Sequence, residues 1–442
     1  MAAKYRLFGS ELSPYSVKVR SYLRYKKLPF NWVAKGYGTQ DEFQSLARSS
    51  ALPMLVSPNG GIAHDSSSIL SQIENKVRKP SASPNDESCH ALSLLLDDYA
   101  DEWLNKVMYH YRWSTAKAAK ASATRQADQV FAGYDVQNRA EIEKSISKSM
   151  TGRLKLVGST KKTAPILEAS FERFLTLLNA HLEHHLFLFG GHPSFADFAL
   201  AGQLSQLLLE EKSGELIREK APFVTAWCEF MEDPRPGADF EPLGAVQDTL
   251  LPLIREEVSP TYVAWAEANA ESIAKKRKTV TVKIDGQEYK QPVQSHTASS
   301  YSAVKNAFAQ VPATQLLEDM LRSANLFEIL PLGEAKTEEP APSDDDESGN
   351  EAQEKAIVPD TPENAEQHAA DNTEAPAASQ EDVKASEDEA ALSPEEVKKA
   401  DQEATQSDGQ PDESSDSPAP APDNTEGEEA SAEEAGYTVR DA

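Results

Sequence analysis

Within the first 76 residues, short apolar runs and helix-period stretches alternate so closely that few architectures can accommodate them. Tyr5-Arg6-Leu7-Phe8 reads as a strand closed by Gly9-Ser10. Pro14 suits the first turn of a helix, where a missing N–H leaves no bond unmade. Val17, Val19, Tyr22 and Leu23 then recur at helical spacing. Phe30 to Val33 is a second strand, and Phe43 to Ala47 belong to a short helix. Leu52 to Val56, a Pro58-to-Gly61 turn and Ile62-Ala63 form a hairpin, and Ser66 to Lys76 is a closing helix. The order β-α-β-α-β-β-α predicts an α/β unit over residues 1–78.

The signals then change character. Residues 79–87 are rich in Pro and Ser and read as a linker. Residues 88–274 are helical, with the apolar stripe Leu92, Leu95, Leu96, Tyr99 and Trp103 on a long helix, so the fold class expected is α/β followed by all-α. Breaks fall at Gly190 to Pro193 and Asp233 to Gly237. Residues 275–332 form an extension: Thr279 to Ile284 alternates with period two, Asp285-Gly286 is a hairpin turn, Gln287 to Pro292 returns, and Ser299 to Phe327 holds one or two helices. This appendage is expected to pack on the helical unit.

Charge sets residues 333–442 apart. They hold 34 acidic and 6 basic side chains, a net of −28, which is the net of the whole chain. Residues 1–332 are therefore neutral overall. The acidic segment has few apolar groups to bury against its ordering entropy, so a disordered tail is expected. It serves either as an arm for a protein partner or as a solubilising segment, and the second reading is preferred.

Several function classes drop out. Cys89 and Cys228 are far apart and form no CxxC, which excludes a disulfide framework and a thiolate metal site and fits a reducing compartment. The opening residues lack a charged stretch followed by an apolar one, and no apolar run approaches a membrane span, so no membrane association and a cytoplasmic location are expected. His181 and His185 lie one turn apart without a third ligand, and read as solvated helix-face side chains; no metal is expected. Lys275-Lys276-Arg277-Lys278 is too short, in a neutral core with an acidic tail, to indicate nucleic acid.

Three features carry chemistry. Ser13 precedes Pro14 at a helix start, where unpaired N–H groups and the positive end of the dipole favour an anion. A thiol brought there would have its pKa lowered. Leu52-Pro53 precedes an apolar strand, where a cis bond would expose the backbone of Leu52 to an extended ligand. Asp65-Ser66-Ser67 opens another helix and offers donors to a carboxylate. Each alone is equally an ordinary cap or turn.

Their order and spacing resemble the glutathione site of glutathione S-transferases, and the β-α-β-α-β-β-α order is similar to the thioredoxin-like domain of that family. Ser194-Phe195-Ala196-Asp197 resembles the family's buried capping box. The likeness covers Tyr5 to about Trp265. It extends to a bacterial group sharing the Leu12-to-Tyr25 stretch, the Asp98-to-Trp103 helix and a C-terminal extension.

The resemblance implies that glutathione is the co-substrate. Ser13 would hydrogen-bond its sulfur, with Ser16 as the fallback one turn on. Pro53 would be cis, Leu52 would pair with the cysteinyl part, and Asp65 and Ser66 would hold the γ-glutamyl end. Asp65 stands where the family more often has Glu or Gln. Ser rather than Cys at position 13 favours a free nucleophilic thiolate over mixed-disulfide exchange. The implied reaction is attack on a small hydrophobic electrophile or hydroperoxide, in a pocket walled by Tyr109, Tyr111 and Trp113. The alternatives are a non-catalytic binding module, possessing the fold alone, and a glutathione-dependent thiol–disulfide oxidoreductase. A homodimer is left open.

Overall fold

The computed structural model describes residues 4–47 and 49–334. The expected disordered tail lies outside these residues, apart from its first two. The N-terminal unit contains β1 (Tyr5–Gly9), α1 (Pro14–Tyr25), β2 (Phe30–Ala34), α2 (Gln40–Leu46), β3 (Met54–Val56), β4 (Ile62–His64) and α3 (Ser66–Lys76). Its sheet runs β2-β1-β3-β4, with β1 parallel to β2 and the other pairs antiparallel. Leu7 faces Trp32 on one side and Leu55 on the other. Both Leu7 and Phe8 are wholly buried because β1 is covered on both faces. Leu7 joins the core with Val19, Tyr22 and Leu70, while Phe8 packs with Phe43 and Met54.

The expected linker is firmly packed. Tyr25 Oη donates to Ser81 O at 2.6 Å, and Lys26 Nζ donates to Val77 O and Pro80 O at 2.7 and 2.6 Å. Ala82 is wholly buried. These contacts fix where the helical unit begins.

That unit opens with a helix of three parts: α4 (Glu87–Tyr99), a π-wound turn (Ala100–Leu104) and α5 (Asn105–Trp113). There follow α6 (Ala116–Val130), α7 (Arg139–Arg153), α8 (Ala164–Leu182), α9 (Phe195–Leu209), α10 (Glu211–Lys220), α11 (Pro222–Phe230) and α12 (Leu243–Leu253). A second π-wound stretch (Ile254–Val263) leads into α13 (Ala264–Ala274). Here Pro252 and Pro260 cannot donate, so the regular i→i−4 ladder cannot continue. The central helix α9 packs on α1, α4 and α5 and is buried on nearly every side. Its start is held by Asp197, which accepts from Ser194 N and Ser194 Oγ at 2.8 and 2.6 Å and from Leu188 N at 3.0 Å. Burial raises the Asp197 pKa to about 6 despite these bonds.

The extension contains β5 (Thr279–Ile284), β6 (Gln287–Pro292), α14 (Ser295–Phe308) and α15 (Gln315–Ser323). Asp285 and Gly286 both have positive φ, 50° and 75°, as a tight hairpin turn requires. Tyr289 packs on Trp103, and Arg173 of α8 bridges buried Glu257 at 2.8 Å to Asp285 in the turn at 3.1 Å. The extension is thus welded to the helical unit, with α14 across α4 and α13.

Two expectations are corrected. His181 is wholly buried rather than solvated: it stacks on His185 at 4.8 Å and its Nδ1 lies 2.9 Å from Thr249 Oγ1 of α12. Burial and the neighbouring His185 lower its pKa to about 4. Tyr109, Tyr111 and Trp113 are core residues, at 2%, 5% and 2% exposure, because α5 is enclosed by α6, α7, α8 and α9. Tyr109 Oη donates to Met150 O at 2.8 Å, and Tyr111 packs on Phe171.

Candidate functional site

Ser13 is the N-cap of α1, with extended backbone (φ −102°, ψ 118°), and its Oγ accepts from Ser16 N at 3.3 Å. The residues before it are held from the helical unit. Gln129 of α6 hydrogen-bonds Ser10 Oγ (Nε2 at 2.7 Å), Gln206 of α9 donates to Glu11 O at 3.1 Å, and Arg112 of α5 donates to Leu12 O at 2.8 Å. Arg112 is itself fixed by Glu210 at 2.9 Å and Gln206 at 2.8 Å. Ser16 is wholly buried against Gly9 of β1.

The Leu52–Pro53 bond is cis, as the resemblance implied. Asp65 has φ +69°, which Asp tolerates better than most residues, and its Oδ1 accepts from Ser68 N at 2.8 Å as the cap of α3. Leu52, Asp65 and Ser66 line one cleft together with Ala51, Tyr15 and Asp101. Its remaining wall is Glu102, from the first π-wound turn, and His296, from the start of α14. Ser13 and Pro53 adjoin these segments but do not line the cleft, and Tyr109, Tyr111 and Trp113 lie elsewhere. The cleft volume is about 30 Å³. A water needs about 10–15 Å³ by this measure, so the enclosed part of the cleft holds about two waters and a larger ligand would lie along its solvent-open side.

Directly behind the cleft lies a charge cluster that joins the two units. Lys18 of α1 is buried, with Nζ 2.7 Å from both Asp97 and Asp101 and 2.8 Å from Ser67 Oγ. Ser67 in turn donates to Asp97 Oδ2 at 2.9 Å. Tyr15 Oη donates to Asp101 O at 3.0 Å and accepts from Asn105 Nδ2 at 2.9 Å. Burial works against the Lys18 charge, but Asp101 and Asp97 outweigh it and hold its pKa above the ordinary value. One ammonium cannot neutralise two carboxylates, and burial with Asp97 alongside pushes Asp101 up to about 7. Nearby, burial lowers Lys106 to about 7; its Nζ sits 3.9 Å over the Trp265 ring and donates to Gln294 at 2.9 Å.

The sequence reading missed Tyr15, Lys18, Asp101, Glu102 and His296. A signal existed for the acids: Asp97/Asp101 and Asp98/Glu102 are i,i+4 pairs of like charge, unfavourable unless cations meet them. Nothing local marks His296.

Residues 7–81 match the family model of the glutathione S-transferase N-terminal domain, and residues 121–230 that of the glutathione S-transferase C-terminal domain. Through these two domains the chain belongs to the glutathione S-transferase family. Among solved structures it is similar to a glutathione S-transferase from Rhodospirillum rubrum F11 (18% identity, 52% of this chain and 87% of that chain, TM-score 0.35). It is also similar to β-etherase LigF from Sphingobium sp. strain SYK-6 (16%, 57% and 99%, TM-score 0.36) and to FzlA from C. crescentus (21%, 56% and 99%, TM-score 0.35). No curated protein matches the chain in sequence. Among the described residues no helix is long and apolar enough to cross a membrane, and no group of three or more His, Cys, Asp or Glu side chains is arranged to hold a metal ion.

Proposed function

We propose that this chain uses glutathione as a co-substrate, holding it along Leu52, Pro53, Asp65 and Ser66 while Ser13 hydrogen-bonds the thiolate for attack on a small electrophile or hydroperoxide. The observation that carries the reading is the state of the Ser13 hydroxyl. It accepts from Ser16 N, and among the described residues it donates to nothing. Its hydrogen is left for a sulfur anion at the positive end of α1.

The cleft chemistry supports the same ligand. Among the described residues no backbone group hydrogen-bonds to Leu52, so its N–H and C=O suit an extended peptide. The first N–H groups of α3 suit a carboxylate, and Asp65 and Asp101 suit the ammonium beside it. Disulfide exchange through the chain's own thiols is disfavoured, since Cys89 and Cys228 are buried and burial pushes both thiols up. Two unpaired cysteines fit a cytoplasmic setting. A homodimer belongs to the same reading, with β4 at the sheet edge and Ile62 42% exposed.

The test is calorimetry with glutathione, then a pH–rate profile of Ser13→Ala with a general electrophile. A hydrogen bond to a charged group is worth ~1.5–3 kcal/mol and one pKa unit about 1.36 kcal/mol, so the bound thiol's pKa should rise by about one to two. Binding should weaken much less. Absence of binding at millimolar glutathione would end the proposal.

A further inference from the structure

We propose that the first turn of α14 is a lid over this cleft, latched shut on Glu102. The inference rests on the glutathione reading and assigns its regulation to the extension. The cleft contains the groups a peptide thiol needs, but its enclosed part has room for only about two waters. Glu102 and His296 together form the wall that narrows it.

Those two residues hold each other. Glu102 Oε1 lies 3.3 Å from His296 Nδ1, and Glu102 Oε2 accepts from Thr297 Oγ1. Gln294, the N-cap of α14, supplies no side-chain cap of its own. The first turn of α14 is instead held through two of its side chains by Glu102, which comes from a different element. Burial disfavours its charge, but His296, Lys106 and Thr297 outweigh burial and hold its pKa below the ordinary value.

The turn is also bounded by firm attachments on either side. Before it, Gln294 exchanges two bonds with Asn269 of α13, at 2.7 and 2.9 Å, and accepts from Lys106 at 2.9 Å. After it, Tyr301, Val304 and Phe308 are buried in the core, and Lys305 pairs with Glu267 at 2.8 Å. Movement is thereby confined to residues 295–297, whose His296 and Thr297 side chains are held by Glu102 of another element. Breaking the Glu102 contacts lets this turn unwind and the Glu102 side chain swing away, while the rest of the extension stays docked.

The experiment is stopped-flow binding of glutathione to the full chain, comparing wild type with Glu102→Gln and Thr297→Val, each checked for folding by circular dichroism. A latch makes the wild-type observed rate level off as glutathione rises, because opening becomes limiting. Each variant weakens a hydrogen bond to a charged group and should raise that ceiling on the order of tenfold or more. If Glu102→Gln does not fold, Thr297→Val, which keeps the side-chain shape, carries the comparison. Binding seen only in the variants also supports the latch. Rates that stay linear and equal in all three proteins overturn the lid and leave the glutathione reading standing. No binding in any of them overturns both.

Discussion

Replacing Lys18 by Met should cost the protein several kcal/mol at pH 8 and about 1.4 kcal/mol less at pH 5. The lysine is buried to 1% exposure and satisfies Asp97 and Asp101 at 2.7 Å each, with Ser67 at 2.8 Å. Removing one partner of a buried ion pair typically costs about 3–5 kcal/mol, because a charge is left unpaired. Met is close to Lys in volume, so the packing part of the loss is about 1 kcal/mol. The remainder is electrostatic, and a proton can replace the ammonium. Asp101 already has its pKa raised to about 7 in the folded protein, above its unfolded value near 3.9. Its ionised form is thus disfavoured by folding, and that penalty is present above the folded pKa and gone below the unfolded one. Without Lys18 the folded pKa rises further. One extra bound proton is worth about 4 kcal/mol between pH 8 and pH 5 in the variant, but wild type, with Asp101 near 7, already gains about 2.7 kcal/mol of this, so the loss shrinks by about 1.4 kcal/mol. Urea unfolding followed by tryptophan fluorescence gives the difference from wild type at both pH values. The expected losses are about 3–5 kcal/mol at pH 8 and about 2–4 kcal/mol at pH 5. An equal loss at the two pH values would refute the electrostatic reasoning, as would failure of Lys18→Met/Asp101→Asn to regain stability at pH 8.

Asp197→Ala strips the acceptor from the buried N–H groups of Ser194 and Leu188 and should lower stability by about 2–4 kcal/mol, read from the denaturation midpoint. Arg112→Met leaves Glu210 paired with Arg125 but frees Leu12 O, so it should cost about 2–4 kcal/mol, and any Ser13-dependent activity should fall with it; full activity in a folded variant would show that the Ser13 loop does not need this clamp.

The N-terminal α/β unit was legible because strand and helix spacings there are short and punctuated: Pro14, the Pro58-to-Gly61 turn and the cap at Asp65 fall where the elements change. The hairpin at Asp285-Gly286 was legible for the same reason. The π-wound turn at Ala100–Leu104 was not, since no Pro or Gly interrupts the run from Asp97 to Trp113. The aromatics of α5 misled because all nine of its residues are buried, so the helix presents no polar face against which to orient them. His181 misled in the opposite sense, and Lys18, Asp97 and Arg112 drew no notice for the same reason. Polar side chains on helices read as solvated, and only tertiary contact between elements far apart in sequence makes them buried. Of the candidate site, Leu52, Asp65 and Ser66 were legible as local backbone features, whereas Glu102 and His296, 194 residues apart, share a wall only in three dimensions.

The same distinction bears on how this fold controls Ser13. The helix dipole that favours an anion there belongs to α1, but the path of the chain into α1 is set by Gln129, Gln206 and Arg112, which come from α6, α9 and α5. The far side of α1 is set in turn by Lys18, anchored on Asp97 and Asp101. A thioredoxin-like unit by itself would leave these donors and acceptors without partners, and burying them unpaired costs more than any one of the bonds contributes. The two units therefore constrain the helix start jointly. A substitution deep in the helical unit can then shift a hydroxyl at the candidate thiol site without touching it, through the main-chain oxygens of Glu11 and Leu12.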